Sequence, residues 1–141
     1  MAILRDRLGD RVAAYAFPPP VFVAMQGQLL AFNLEAGTLT ARFPVQTSYL
    51  NPYGTMQGGM IAAAVDNTLG PLSVLVAPPN VTRRLEMIYG RPVTPGMGHI
   101  VVTAQLLARE DRWLHFRAEV RDPAGRRLAR AKASHWILDV G

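Results

Sequence analysis

The residues most able to do chemistry lie between Asn51 and Leu75, NPYGTMQGGMIAAAVDNTLGPLSVL. A loop that ends in Gly58 and Gly59 leads into a long helical run that is apolar on nearly every face, which predicts a buried helix. This run contains one carboxylate, Asp66. The stretch has no Lys or Arg to neutralise that charge. Burying an unpaired carboxylate is costly. Asp66 is therefore either a catalytic acid–base group or an acid on the one narrow helix face that reaches water.

The two glycines predict a second functional feature at the start of this helix. Because Gly58 and Gly59 lack a Cβ, a ligand can approach the free backbone N–H groups at the positive end of the helix dipole. Such a helix end can stabilise the oxyanion that develops during acyl transfer. The pattern at Gln57-Gly58-Gly59 therefore indicates an oxyanion site upstream of the carboxylate.

The spacing of these residues resembles a known family. The pattern Asn51-x-x-Gly54-x-x-Gln57-Gly58-Gly59, with Asp66 and Asn67 downstream, is similar to the hotdog-fold acyl-CoA thioesterases of the phenylacetate-degradation (PaaI-like) type. The resemblance extends over most of the chain. It continues through VTRRLEMIYGRPV at 81–93, Pro95-Gly96, the Gly125-Arg126 turn and the closing ARAKA at 129–133.

The resemblance implies roles for individual residues. Asp66 matches the catalytic acid of the family, Gly58 the backbone N–H that polarises the thioester, Asn51 the loop asparagine, and Thr82 the hydroxyl residue on the strand after the helix. Gln57 stands where many relatives have histidine. Glutamine can donate and accept a hydrogen bond but cannot be protonated, so a role that needs an imidazole is not expected at this position.

Length and composition predict one domain spanning 1–141. A chain of 141 residues builds one core comfortably and two poorly. Half of the residues are hydrophobic and 18% are charged. This apolar surplus indicates a buried subunit interface.

The net charge of +5 comes almost wholly from arginine, because Lys132 is the single lysine. The arginines are scattered through strand-like segments, which disfavours nucleic acid as a partner. Guanidinium groups suit phosphates, and coenzyme A carries several. The candidates for binding its phosphates are Arg83, Arg84, Arg91, Arg126 and Arg130.

The same inventory excludes several classes of site. The chain has no cysteine, which rules out disulfides and thiolate chemistry, and its three histidines do not suggest a metal site. His99, His115 and His135 are interpreted as surface or sheet residues. No cofactor is expected beyond coenzyme A as part of the substrate. The N-terminus does not resemble a signal peptide, and no apolar stretch is judged long enough for a membrane, so we expect a cytoplasmic protein with no membrane partner.

Periodicity predicts the secondary structure. Residues 1–17 are predicted to form an amphipathic helix and residues 18–20 a stiff proline connector. The apolar helix is expected to have a kink or break at Gly70-Pro71 and to be ended by Pro78-Pro79-Asn80. In the strand after the helix, strict alternation places Thr82 on the face of Arg84 and Glu86. The six predicted strands are Leu29–Asn33, Leu39–Val45, Val81–Tyr89, His99–Ala108, Trp113–Arg121 and Arg126–Leu138.

One long helix against one antiparallel sheet of about six strands is an α+β architecture. The resemblance implies the hotdog fold, in which the curved sheet wraps the helix. Gly58 and Asp66 are eight positions apart, which corresponds to roughly 12 Å of helical rise and about 80° of rotation. A reacting carbon must lie within about 3 Å of both nucleophile and oxyanion donor. We therefore expect a homodimer with shared sites; a tetramer is left open.

Three functions are compatible with these features. The first is hydrolysis of an acyl-CoA or similar thioester, with Asp66 as base or as nucleophile and with Thr82 either holding the water or serving only the strand. The second is a non-catalytic acyl-CoA binding protein. The third is a hotdog hydratase or dehydratase, which Gln57 disfavours because that chemistry calls for a histidine beside the acid.

Overall fold

The computed structural model describes residues 19–139. The predicted helix over residues 1–17 lies outside this range. Of the predicted proline connector, Pro19 is extended, with φ −59° and ψ 138°, but Pro20 is the first residue of helix α1 (Pro20–Ala24). A proline at the first helical position loses no hydrogen bond, because the N–H it lacks would have no partner there. The connector prediction is therefore wrong at Pro20.

The predicted α+β architecture is confirmed. Six antiparallel strands form one sheet in the order β1-β2-β4-β5-β6-β3. The sheet holds one long helix, α2 (Gly58–Val76), against its inner face. The strands are β1 (Gln28–Asn33), β2 (Thr38–Pro44), β3 (Asn80–Tyr89), β4 (His99–Glu110), β5 (Trp113–Arg121) and β6 (Arg127–Ile137).

The core lies between α2 and the inner face of the sheet. One face of the helix buries Ile61, Val65, Leu69 and Leu72. Alternate residues of β2, β4 and β5 meet it from the sheet, and they include Leu39, Phe43, Ile100, Val102, Leu114, Phe116 and Val120. This alternation follows the strand period of two.

Helix α2 differs from the prediction in two respects. It continues without a break through Pro71 to Val76, so the break that was one of the two outcomes predicted at Gly70-Pro71 is wrong. It is also not buried on every side, because Ala62, Asp66, Asn67 and Gly70 are half-exposed on the face away from the core. The apolar run is therefore only partly covered within one chain.

The length of α2 bears on the predicted absence of a membrane-length segment. At 19 residues with a mean hydropathy of 1.4 in its most apolar window, α2 is long and apolar enough to span a membrane, so that prediction is wrong as stated. Its position against the inner face of the sheet, however, is that of a core helix.

Strand β3 contains an irregularity that the sequence did not predict. Thr82 lies opposite His135 on β6, whereas Arg84 lies opposite Ser134, so Arg83 is an extra residue without a counterpart. Such a β-bulge shifts the alternation by one residue. Strand β3 is also an edge strand of the sheet, paired only with β6 among the described strands.

Candidate active site

The start of α2 presents free backbone donors. Gln57 is the N-cap residue, with an extended backbone and no side-chain capping hydrogen bond. Met60 and Ile61 donate their N–H groups to the Gln57 carbonyl at 2.9 and 3.1 Å. Within residues 19–139, the N–H groups of Gly58 and Gly59 have no acceptor. This is the arrangement that an oxyanion site requires.

Tyr89 holds this helix start against the end of β3. Its hydroxyl donates to the Gly58 carbonyl at 2.6 Å. A Cβ on Gly58 would lie 3.1 Å from Cζ and 3.2 Å from the oxygen of Tyr89, whereas a Cβ on Gly59 would meet nothing within 4 Å. Gly58 is thus needed for the close approach of Tyr89 as well as for access to its N–H. The sequence pattern did not single out Tyr89.

Asn51 organises the loop before the helix. Its Oδ1 accepts the N–H groups of Tyr53 and Thr55 at 3.0 and 3.1 Å, and its Nδ2 donates to Thr55 Oγ1 at 2.8 Å. The Asn51 side chain is therefore engaged within the loop. Gln57 is exposed beside the free N–H groups.

Asp66 has one protein partner on a neighbouring element. Thr82 Oγ1 donates a hydrogen bond to Asp66 Oδ1 at 2.9 Å. Thr82 is exposed and Asp66 is half-buried, so both side chains reach the surface of the single chain. The bond fixes one carboxylate oxygen and leaves Oδ2 available to a water molecule or a substrate.

The bulge at Arg83 makes this contact possible. With strict alternation Thr82 would face away from α2 with Arg84 and Glu86, as the sequence predicted; that prediction is wrong. The extra residue instead turns Thr82 to the helix side, together with Leu85 and Met87. Bulges that redirect a side chain are common next to active sites.

His135 lies behind Thr82, and its burial was not predicted from the sequence. It is 2% exposed, its Nε2 is 3.3 Å from Thr82 Oγ1, and its Nδ1 is 2.8 Å from Asn80 Oδ1. The signal that could have revealed it is the alternation of β6, because His135 shares the inner face with Ala131 and Ala133. His135 is a sheet residue, as interpreted, but it is buried, so the surface alternative is wrong for this histidine.

Burial controls the charge of His135. The imidazole packs against Phe116, with ring centroids 4.8 Å apart. Desolvation lowers the pKa of His135 below its usual value, and the negative charge of Asp66 opposes this only in part. His135 is therefore neutral at physiological pH.

Gly58 and Asp66 belong to the same unbroken helix. Eight residues of α-helix correspond to roughly 12 Å along the axis. A carbonyl carbon next to one of these groups is out of reach of the other. Within a single chain, the two predicted groups therefore cannot act on one reacting carbon.

The predicted arginines do not form one cluster. The guanidinium of Arg83 lies 5.5 Å from the ring centroid of Trp136, and Arg84 pairs with Glu86 at 3.7 Å. Arg126 is bound to Asp122 at 3.0 Å in the β5–β6 turn. Arg91 follows the end of β3 and is exposed. Arg130 lines a cavity of about 530 Å³ on the outer sheet face with Lys132, Arg117 and Arg127.

A metal site is not indicated by these residues. Between residues 19 and 139, no group of three or more His, Asp or Glu side chains is arranged to hold an ion.

Comparison with solved structures identifies the fold. A phenylacetic acid degradation-related protein of Ralstonia eutropha JMP134, proposed to be a thioesterase, superposes with a TM-score of 0.80 at 27% identity, over 90% of this chain and 97% of that one. The chain has the hotdog fold and resembles the PaaI-like thioesterases. The PaaI protein of the Escherichia coli phenylacetic acid degradation operon has the same fold at 14% identity, with a TM-score of 0.82 and 96% of each chain covered.

Sequence comparison adds a further relative. A protein of Saccharolobus solfataricus, proposed to be an esterase, is 28% identical over 108 residues, which is 75% of this chain and 76% of that protein. No family model matches the chain. The predicted resemblance to PaaI-like hotdog thioesterases is confirmed, while the roles of individual residues stay predictions.

Proposed function

We propose that the protein hydrolyses a thioester, with an acyl-CoA as substrate and no further cofactor. The observation that carries this proposal is the hydrogen bond from Thr82 to Asp66 on the accessible face of α2. The carboxylate is held in one orientation, is not neutralised by an ion pair within the described chain, and keeps one oxygen free. This is the environment of a general base.

In the proposed reaction Asp66 acts on water. Its free Oδ2 removes a proton while the water oxygen attacks the thioester carbonyl carbon. Collapse of the tetrahedral intermediate breaks the C–S bond, and the proton on Asp66 passes to the departing thiolate. The products are a carboxylic acid and a free thiol. Direct attack by Asp66 to give a mixed anhydride is the alternative, and incorporation of labelled oxygen from water into Asp66 during a single turnover distinguishes it.

The negative charge on the carbonyl oxygen needs a donor. The N–H of Gly58 is free and lies at the positive end of α2, and Gln57 offers an exposed amide beside it. One oxyanion-hole donor is worth about 100- to 1,000-fold in kcat. The Asn51 amide serves this site by fixing the loop that precedes Gln57.

We propose that the two half-sites meet across a homodimer formed by β3. Thr82, near the first residue of this edge strand, contacts Asp66 of α2. Tyr89, the last residue of the strand, contacts Gly58 of α2. When two such edges pair antiparallel about a two-fold axis, the beginning of one strand lies beside the end of the other. Asp66 then approaches Gly58 of the partner subunit, and two sites are completed.

Surface composition supports this pairing. Val81, Ile88 and Tyr89 on β3 are large exposed apolar or aromatic residues, at 42%, 53% and 48%. An unpaired edge strand with exposed apolar side chains favours association with another strand. The half-exposed face of α2 would also be covered by a partner subunit.

Recognition of coenzyme A phosphates is assigned to exposed arginines without a carboxylate partner. Arg84 and Arg126 are in ion pairs. Arg83 lies within β3 near its start, Arg91 follows the end of β3, and neither is in an ion pair among the described residues. We therefore favour Arg83 and Arg91. Arg130 lies on the outer face of the sheet, away from Asp66 and Gly58.

The alternatives make different demands on the site. A hydratase needs an imidazole in contact with the substrate, but His135 is buried and reaches Asp66 only through Thr82. A non-catalytic binding protein would bind acyl-CoA without releasing thiol. Neither accounts for the free carboxylate oxygen of Asp66.

The deciding experiment measures free thiol release from aromatic, short-chain and long-chain acyl-CoAs. Asp66→Asn preserves the shape and removes the charge, so kcat should fall by about 100-fold or more. Asp111→Asn is the matched control, since Asp111 lies in the β4–β5 turn with φ 60°, a conformation that Asn tolerates. Normal turnover by Asp66→Asn, or binding without turnover by the wild type, would contradict the proposal.

A further inference from the structure

The side chains behind Asp66 form a continuous hydrogen-bonded chain. It runs from Asp66 through Thr82 and His135 to Asn80, with successive distances of 2.9, 3.3 and 2.8 Å. It joins α2, β3 and β6. His135 is buried, Asn80 at the far end is half-buried, and the near end reaches the proposed active site.

The end at Asn80 fixes the tautomer of His135. Asn80 Nδ2 donates to the Pro78 carbonyl at 2.9 Å, so the side-chain oxygen is the atom that faces the imidazole. An amide oxygen only accepts, and Nδ1 of His135 must therefore carry the hydrogen. In the neutral ring, Nε2 then holds a lone pair directed at Thr82.

The acceptor that receives the Thr82 hydroxyl hydrogen depends on whether Asp66 is ionised. The Thr82 hydroxyl has one hydrogen and two acceptors, Asp66 Oδ1 and His135 Nε2. While Asp66 is ionised, its charge draws that hydrogen, and buried Nε2 is left without a donor. Once Asp66 has accepted a proton, its oxygen attracts the Thr82 hydrogen less strongly, and the hydroxyl can donate to Nε2 instead. The network is thus better satisfied after proton abstraction than before it.

We propose that His135 is a positioning residue that helps Asp66 accept the proton of the attacking water, by offering Nε2 as a second acceptor for the Thr82 hydrogen. This inference rests on the proposed function of Asp66. The second acceptor on His135 stabilises the state in which Asp66 has taken up the proton of the water. An interaction that is stronger in this state than in the starting state accelerates the step. When the proton leaves with the thiol, the Thr82 hydrogen returns to Asp66.

The electrostatic surroundings suit this role. Within the described residues, the groups around His135 are Asn80 from β3 and Phe116 from β5, which are uncharged, and Asp66 from α2, which carries a charge. Burial keeps His135 neutral and its Nε2 lone pair available.

The kinetic test compares His135→Leu, Thr82→Val and the double variant, with Thr82→Ser as the matched control that keeps the hydroxyl. We expect His135→Leu to lower kcat roughly 10-fold, with KM unchanged, and to move the acidic limb of the kcat–pH profile to lower pH. The double variant should be no slower than Thr82→Val alone, because both changes break the same series of hydrogen bonds. Additive losses without a shift of the acidic limb would indicate a merely structural role and overturn the proposal.

A second measurement does not require substitution of His135. In ¹⁵N-histidine NMR of the wild-type protein, His135 should be neutral with the hydrogen on Nδ1, and His99 and His115 serve as internal references. In Asp66→Asn the Nε2 resonance should shift toward that of a hydrogen-bonded acceptor, and in Thr82→Val it should not. A hydrogen on Nε2 in the wild type, or an unchanged Nε2 resonance in Asp66→Asn, would overturn the inference.

The two proposals fail in different ways. If the wild type releases no thiol from any acyl-CoA, the proposed function is wrong. The NMR result alone then decides whether the Thr82 hydroxyl changes its acceptor from Asp66 to His135. If turnover depends on Asp66 but not on His135, only the inference about His135 is wrong.

Discussion

Thr82 Oγ1 donates a 2.9 Å hydrogen bond to Asp66 Oδ1, and this contact exists because Arg83 is inserted as a bulge one residue later. The bulge places a strand hydroxyl on the helix side of the sheet, where a regular strand would place Val81. The orientation of the proposed base thus depends on one extra residue in an edge strand.

Two single deletions test this dependence, because deletion of Arg83 and deletion of Thr82 each remove the extra residue and let β3 pair with β6 in regular register. Without Arg83, Thr82 stays opposite His135 on the helix side, so kcat should be retained. Without Thr82, Arg83 takes its place and Asp66 loses its hydroxyl partner. We then expect kcat to fall by at least about 10-fold while the protein remains folded, as measured by thiol release and circular dichroism. Equal activity of the two deletion variants would show that the residue opposite His135 has no role in orienting Asp66.

Substitution of Gly58 tests the oxyanion site. The Cβ of Gly58→Val would lie 3.1 Å from Tyr89 and would crowd the N–H that faces the substrate. Activity should fall about 100-fold or more, as for loss of an oxyanion donor. Gly59→Ala, whose Cβ would meet nothing within 4 Å, is the control and should stay active. Gln57→His should also be tolerated. Full activity in Gly58→Val would refute the assignment.

A mixture of two inactive variants tests the shared site. Gly58→Val and Asp66→Asn are combined under conditions that exchange subunits, and thiol release is followed. If Asp66 acts with the partner's Gly58, each heterodimer contains one site with both defects and one intact site. About half of the wild-type activity per heterodimer should return. A mixture that stays inactive although heterodimers are detected by native mass spectrometry would place both groups in one subunit.

Ionic strength tests the arginines. If Arg91 binds a phosphate of coenzyme A, KM for acyl-CoA should rise with salt, because exposed charges are screened. Arg91→Gln should raise KM several-fold at low salt and flatten its salt dependence, with kcat unchanged. Arg126→Gln is the matched control, since Arg126 is already paired with Asp122 at 3.0 Å. The same response in both variants would contradict the assignment.

The sequence by itself determined the local features of this protein. Alternation and turn residues placed all six strands within two residues of their observed ends, and the apolar run placed α2. Its two glycines and Asp66 were identified from residue type and spacing. Helical geometry then showed that Gly58 and Asp66 are too far apart for one site. These features depend on neighbours in the chain, which a sequence displays directly.

Tertiary structure decided which side chains meet. The face occupied by Thr82 depends on the pairing register between β3 and β6, and a bulge shifts that register without changing the apparent alternation of residues. The contact of His135 with Thr82 and Asn80, and that of Tyr89 with Gly58, each join residues more than thirty positions apart. Periodicity carries no information on such pairs, because it describes one element at a time. Their positions are fixed only when the sheet closes over the helix.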